Sequence, residues 1–180
     1  KLGSPLSNFE ANLNYKPISD PAVTVKFKLE ENPAKLIEKN VYVLAWTTTP
    51  WTLPSNLALT INPDLDYVKV KKDNDFLIVG KNLAEKIFGE NYDIVEEFTG
   101  HSLIGLKYEP LFPFFKNHKN AFQILGDDFV SDSDGTGIVH MAPNFGEADA
   151  YTCAQHSIKY LYPNPIDENG YFDATIPELN

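Results

Sequence analysis

The apolar residues of this 180-residue chain come in short β-branched and aromatic runs, each soon cut off by proline, asparagine or glycine. Residues 41–46 (VYVLAW) are the sharpest case: a continuous run that suits a buried strand, halted by Thr47-Thr48-Thr49-Pro50, where proline removes a ladder donor. Residues 23–29 (VTVKFKL) alternate apolar and lysine with period two, the pattern of a half-buried strand. Further strands are predicted at 57–61, 67–70, 76–79, 92–98, 121–125 and 137–141, with turns at 62–64 and 71–75. Helices are predicted only at 82–88, with Asn82 as N-cap and Gly89 as stop, and at 146–155; 34–40 reads as a short helix or turn. The opening, 1–21, and the tail from Leu161 read as loop. Many short strands with a few short helices give an α+β fold class with a β-barrel-like core, in one domain over 1–180.

Composition narrows the function classes. Apolar residues make up 43% of the chain, with 12 Phe and 9 Tyr, enough for a real core and too much for disorder. A single cysteine rules out a disulfide framework or a multi-cysteine zinc module, and no apolar run reaches the length of a membrane span. A soluble domain of a reducing compartment is expected. The net charge is -10, and all 15 basic residues are lysine. The deficit is one-sided: residues 1–90 carry 11 lysines and 11 acids, residues 91–180 only 4 lysines and 14 acids. That balance argues against a free-standing nucleic-acid binder.

Two segments carry chemistry. In 46–56 (WTTTPWTLPSN), three threonines at a strand end are fixed by Pro50 and Pro54. They place hydroxyls and freed backbone N–H groups at a sheet rim, suited to an adenosine or a carbonyl oxygen. A Thr-rich turn between packing tryptophans is the plainer alternative. In 134–149 (DGTGIVHMAPNFGEAD), a glycine turn feeds a strand ending at His140, and a loop leads to a helix bearing Asp149 near its positive end. Such a carboxylate stays ionised and can bind an ammonium group or orient a water; an N-cap cluster beside a hydrogen-bonded histidine is the alternative. If the second helix is regular, Asp149, Cys153 and His156 share a face, which opens a metal cluster or a Cys/His nucleophile pair. The glycines lack the Lys-Ser/Thr of a phosphate loop. The calcium-like Asp132-x-Asp134-Gly135 would put Val130 and Met141 at the outer ligand positions, which excludes it.

Together these segments resemble the editing (connective polypeptide 1) domain of class I isoleucyl-tRNA synthetases, over nearly the whole chain. WTTTPWTLPSN and GTGIVHMAPNFGEAD are similar to the family's two editing signatures, and 105–112 (GLKYEPLF) to the segment between them. Residues 4–10 (SPLSNFE) resemble the lead-in of the eukaryotic-type branch. Thr49 and His140, at positions where valyl and leucyl relatives typically differ, point to the isoleucyl member; Ala148 departs from the acidic residue common there. Signatures of the amino-acid-activating site are absent, so no aminoacylation is expected from this chain alone.

The resemblance implies hydrolysis of the aminoacyl ester of mischarged Val-tRNA(Ile) after transfer, and in a further role before it, in the cytoplasm. It implies that Asp149 pairs with the substrate ammonium and that Thr47, Thr48 and Thr49 contact the terminal adenosine and position a water. His140 then touches the amino-acid portion and limits its size, Asn56 supports the threonine loop or the substrate, and Trp46 walls the pocket. It implies no metal and no cofactor, and as partners the tRNA(Ile) acceptor end carrying valine and the rest of the synthetase. Lys69, Lys71 and Lys72 are the expected contacts with the tRNA end. The alternatives are a non-catalytic module binding the acceptor end or the adenylate, and a Cys153/His156 thiol hydrolase.

Overall fold

The computed structural model describes residues 21–31, 39–162 and 164–176, with Ser7, Leu13, Lys16 and Ser19 as isolated positions. The looped opening and the 34–40 element lie for the most part outside the described residues. The strands are β1 (Val23–Lys28), β2 (Val41–Thr47), β3 (Ala58–Ile61), β4 (Asp66–Lys72), β5 (Asp75–Gly80), β6 (Asp93–Thr99), β7 (Gln123–Gly126) and β8 (Ile138–Met141). Among the described residues, two short α-helices accompany them, α1 (Ala84–Phe88) and α2 (Glu147–Gln155).

Five strands form one sheet in the order β1-β2-β5-β4-β6, in which only β2 and β5 run parallel. The other three form a second sheet, β7-β3-β8, with β3 parallel to β7 and antiparallel to β8. The period of two decides what each face buries. Val41, Val43 and Ala45 of β2, with Ile78 of β5, join the main core beside Leu59, Ile61, Ile124 and Ile138 of the second sheet. Leu44, Val68, Val70, Leu77 and Val79 point the other way and are capped by Ala84 of α1. The central strands are therefore apolar on both faces, which is why 41–46 reads as an unbroken run. Each fully buried large side chain contributes about 1.5–3 kcal/mol.

The two sheets meet along two seams without closing into a continuous barrel, so the core is barrel-like only in part. On one side, the backbone around Leu106 bridges them: Ile124 N–H donates to Leu106 O (2.9 Å), and Glu109 N–H to Lys28 O (2.8 Å). Only isolated pairs form there, Leu29 with Tyr108 and Lys107 with Gln123. On the other side, Gly80 N–H donates to Thr136 O (2.8 Å) and the Tyr67 hydroxyl to Gly137 O (2.8 Å).

Two local expectations are corrected. Asn82 does not cap α1; it sits in a 3-10 turn (Lys81–Leu83) and its side-chain amide donates to Asp132 instead. Gly89 does end the helix, at φ 80°. Lys69 is not a surface cation: it is 7% exposed, its Nζ lies 2.5 Å from Glu96 and 5.7 Å from the Phe76 ring centre. Lys71 and Lys72 are exposed. Lys71 pairs with Phe76, and Phe76 with Val41, so both lysines, at the end of β4 and two strands across the sheet, lie level with the start of β2. The threonine rim is at its other end, about 20 Å away at about 3.3 Å per residue.

Candidate functional site

β2 ends at Thr47, and Pro50 opens a tight 3-10 helix (Pro50–Ser55), because its ring fixes a φ suited to a first turn. The intervening threonines are held from inside the loop. Thr49 N–H donates to Thr47 Oγ1 (3.0 Å), and the two side-chain oxygens lie 3.2 Å apart. Thr52 N–H and Thr52 Oγ1 both donate to Thr49 O, at 3.0 and 2.9 Å. Thr47 is buried, whereas Thr48 and Thr49 are exposed. The rim is thus a fixed turn with open hydroxyls.

From the second sheet, β8 brings His140 beneath this turn. The ring is 7% exposed, and Nε2 lies 3.2 Å from Thr52 Oγ1. Among the described residues Nδ1 has no hydrogen-bond partner. Burial depresses the imidazole pKa to about 4, so His140 is neutral at physiological pH. After β8 the chain turns through Ala142 to Gly146 and enters α2, whose third residue is Asp149. Its Oδ2 accepts from Ala142 N–H (2.8 Å), folding the carboxylate back over the helix start. Gly146 leaves room for this, since a Cβ there would lie 2.9 Å from the carboxylate. Burial raises the Asp149 pKa above the ordinary carboxylate value, against the expectation from the helix dipole alone, while the Ala142 N–H opposes that rise.

Trp46, Thr47, Thr48, Thr49, His140 and Asp149 all line one cleft of about 490 Å³. Thr52, Trp51, Val139, Ala142, Phe145 and Gly146 complete its wall, and were not singled out from sequence. Thr52 carries a readable signal: it follows Thr49 by three residues in a turn that Pro50 makes 3-10, where positions i and i+3 eclipse. Asn56 is not in the cleft. It is buried behind it, donating to Ala58 O (2.8 Å) and accepting from the Tyr108 hydroxyl (2.7 Å), so it braces the start of β3.

The thiol alternative does not survive the geometry. Cys153 is fully buried, and burial together with the Asp149 charge pushes its pKa up to about 12, so the nucleophilic thiolate is not available. His156 lies past the end of α2 and is exposed. Among the described residues no group of three or more His, Cys, Asp or Glu is placed to hold a metal ion, and no helix is long and apolar enough to cross a membrane. A second groove of about 430 Å³, beside Phe114, His118, Tyr160 and Tyr162, has no carboxylate in its lining. Unlike that groove, the cleft under the threonine rim sets a carboxylate among hydroxyls.

Along 99% of its length the chain is 46% identical to the isoleucine–tRNA ligase of Chlamydia trachomatis serovar L2 and 45% identical to the cytoplasmic isoleucine–tRNA ligase of Saccharomyces cerevisiae. It is 46% identical over 98% of its length to the isoleucine–tRNA ligase of Bdellovibrio bacteriovorus. In each case it spans 17% of the relative's length. No protein-family model matches it. Among solved structures it resembles GlLeuRS-CP1, with a TM-score of 0.62 and 20% identity, covering 81% of this chain and 69% of that one. It also resembles the P. knowlesi cytosolic leucyl-tRNA synthetase editing domain, with a TM-score of 0.57 and 14% identity, covering 77% and 67%. At those identities the two structures speak for the fold alone. In sequence the chain matches a 17% stretch of isoleucine–tRNA ligases, and in fold it resembles leucyl-tRNA synthetase editing domains.

Proposed function

We propose that residues 1–180 form a single editing domain that acts within a longer, cytoplasmic isoleucyl-tRNA synthetase and hydrolyses the aminoacyl ester of mischarged Val-tRNA(Ile). The physical need is general. One methylene in an apolar pocket is worth only about 1–3 kcal/mol, a limit for which isoleucyl-tRNA synthetase is itself a standard example, so a second, smaller site has to remove valine. The observation that carries the reading is the meeting of Asp149 with Thr47, Thr48, Thr49 and His140 in one cleft of ligand size.

In this reading the Asp149 carboxylate binds the α-ammonium of the valyl group, and the open hydroxyls of Thr48 and Thr49 hold the terminal adenosine and a water. The water oxygen adds to the ester carbonyl carbon, the bond from that carbon to the ribose oxygen breaks, and the ribose oxygen takes up a proton. The ester is already reactive, so positioning of water and substrate supplies most of the acceleration and no side chain of the chain need attack. The same cleft accommodates the valyl adenylate, whose ammonium and carbonyl are arranged alike.

Asp149→Asn tests the reading by removing the charge at nearly constant shape. Release of labelled valine from Val-tRNA(Ile) by this chain is expected to fall about 10²–10³-fold, the scale of uncoupling one partner of a buried ion pair. Circular dichroism should be unchanged. A variant that deacylates at the wild-type rate sinks the assignment, and a wild type that binds Val-tRNA(Ile) without turnover makes the chain a binding module.

A further inference from the structure

The carboxylate of Asp149 is held by a series of contacts that begins outside the cleft. After β8 the chain turns at 142–145, closed by Phe145 N–H donating to Ala142 O (2.9 Å), and Pro143 fixes φ at the second position. The third position is Asn144, whose amide is spent on a single residue: Nδ2 donates to Leu161 O (3.0 Å) and Oδ1 accepts from Leu161 N–H (2.7 Å). The partners decide which way round the amide lies. Two bonds to one residue set distance and orientation together, as in one rung of an antiparallel ladder. Leu161 is a firm anchor, 5% exposed and part of the main core. At the near end of the turn, Ala142 N–H donates to Asp149 Oδ2 (2.8 Å). Gly146 offers α2 no side-chain cap, so the entry to the helix takes its position from this turn. Asn144 itself lines no part of the cleft.

We propose that Asn144 is a positioning residue for Asp149: pinned to Leu161, it holds the 142–145 turn where the Ala142 N–H meets the carboxylate, and so fixes the direction in which Asp149 faces the cleft. The functional half of this rests on the editing reading, in which that carboxylate binds the ammonium; the positioning half does not. A carboxylate free to swing holds the ammonium, and with it the ester carbonyl, in many poses of which few suit attack by water. Releasing the clamp therefore costs turnover. Binding is touched less, because most of it comes from parts of the substrate remote from the reacting bond.

Asn144→Leu keeps the shape and removes both bonds; Asn144→Ala removes them without adding an apolar branch. The readouts on this chain are exchange of the Leu161 amide, the pH response of the Ala142 amide shift, which follows ionisation of Asp149, and deacylation of Val-tRNA(Ile). In both variants the Leu161 amide is expected to exchange about tenfold faster or more, and the Ala142 amide to lose its response. With them kcat falls about 10–100-fold while KM stays within about twofold. In an Asp149→Asn background the same substitutions should leave kcat where Asp149→Asn alone puts it, since Asn144 acts through that carboxylate. Losses that multiply in the double variant overturn the proposal, because a merely structural Asn144 would give them. So does a released Leu161 amide with the wild-type Ala142 response and kcat, or a loss in Asn144→Leu that Asn144→Ala does not share. If the Ala142 response is present in the wild type and lost in the variants, but the wild type hydrolyses no Val-tRNA(Ile), the positioning is upheld and it is the editing reading that fails.

Discussion

Asp149 and His140 sit in the same cleft and are both shifted by burial toward their neutral forms, yet burial acts on stability in opposite senses at the two. His140 has a folded pKa of about 4 against an unfolded value near 6.5. As pH falls below about 6.5 the unfolded chain takes up a proton that the folded chain refuses. The stability tied to this residue is therefore present above about 6.5 and lost between about 6.5 and 4, on the order of 3 kcal/mol in all. His140→Gln is expected to flatten urea-unfolding stability against pH in that window, where one such group contributes a slope of up to about 1.4 kcal/mol per pH unit. Parallel curves for variant and wild type would contradict a buried, neutral His140. For Asp149 the folded pKa is raised, so the protonated form is the stabilising one and its contribution is lost as pH rises through that pKa. Once ionised, the buried carboxylate is a cost to stability. Given the editing reading, Asp149→Asn should leave thermal stability equal or higher while deacylation collapses, a pairing that a merely structural aspartate would not give.

At the scale of elements, the site depends on where β8 begins. Gly137 precedes it at φ +73°, with its Cα side against Gly80, the last residue of β5. A Cβ on Gly137 would lie 3.1 Å from Gly80 Cα and 3.3 Å from Gly80 N, backbone atoms that have nowhere to go. Gly137→Ala is expected to cost about 2–4 kcal/mol from left-handed strain and overpacking together, and to displace His140 three residues on. Gly170→Ala is the control: it has φ +83° but open space around it, so only the strain applies and about 1 kcal/mol is expected. Denaturant melts of the two variants separate these contributions, and equal losses would show that the close approach to Gly80 counts for nothing. The strands themselves were legible from sequence because β-branched runs and alternation are local signals: 41–46 is β2 less Thr47, and 76–79 is the interior of β5. What was not legible is pairwise. Asn82 has the composition of a cap, but Asp132 is within reach and the 3-10 turn takes the capping position. The absence of a closed barrel follows from four-residue strands in the second sheet and from bridging by isolated pairs, and neither is written in any one segment.

Charge is the property that only the whole molecule resolves. The first half is neutral by count, and five of its lysines, Lys26, Lys28, Lys69, Lys81 and Lys86, are each paired with a carboxylate, four of them with one from the second half. The cations expected to meet the tRNA end are thereby removed or misplaced, since Lys69 is buried and Lys71 and Lys72 sit about 20 Å along β2 from the threonine rim. The acidic half supplies different ones. All four of its lysines, Lys107, Lys116, Lys119 and Lys159, are exposed, and among the described residues none makes an ion pair. Lys159 is tied to the cleft through its neighbours: Asn144 donates to Leu161 O (3.0 Å) and accepts from Leu161 N–H (2.7 Å), and the next residue, Phe145, lines the cleft wall. Exposed Tyr160 and Tyr162 flank the buried Leu161, the mix of cation and aromatic face that suits unpaired nucleotides. Given the editing reading, Lys116→Glu with Lys159→Glu should raise KM for Val-tRNA(Ile) several-fold and lower the magnitude of the log–log salt slope of binding by about 2, since each phosphate left without its lysine removes about one unit. Lys71→Glu with Lys72→Glu should change neither. The wild-type chain should itself bind weakly at physiological salt, because few cations are free and a net charge of -10 opposes approach. If the Lys71/Lys72 pair proves the sensitive one, the acceptor end does not reach the cleft past Leu161, and the orientation of the substrate in the site must be reversed.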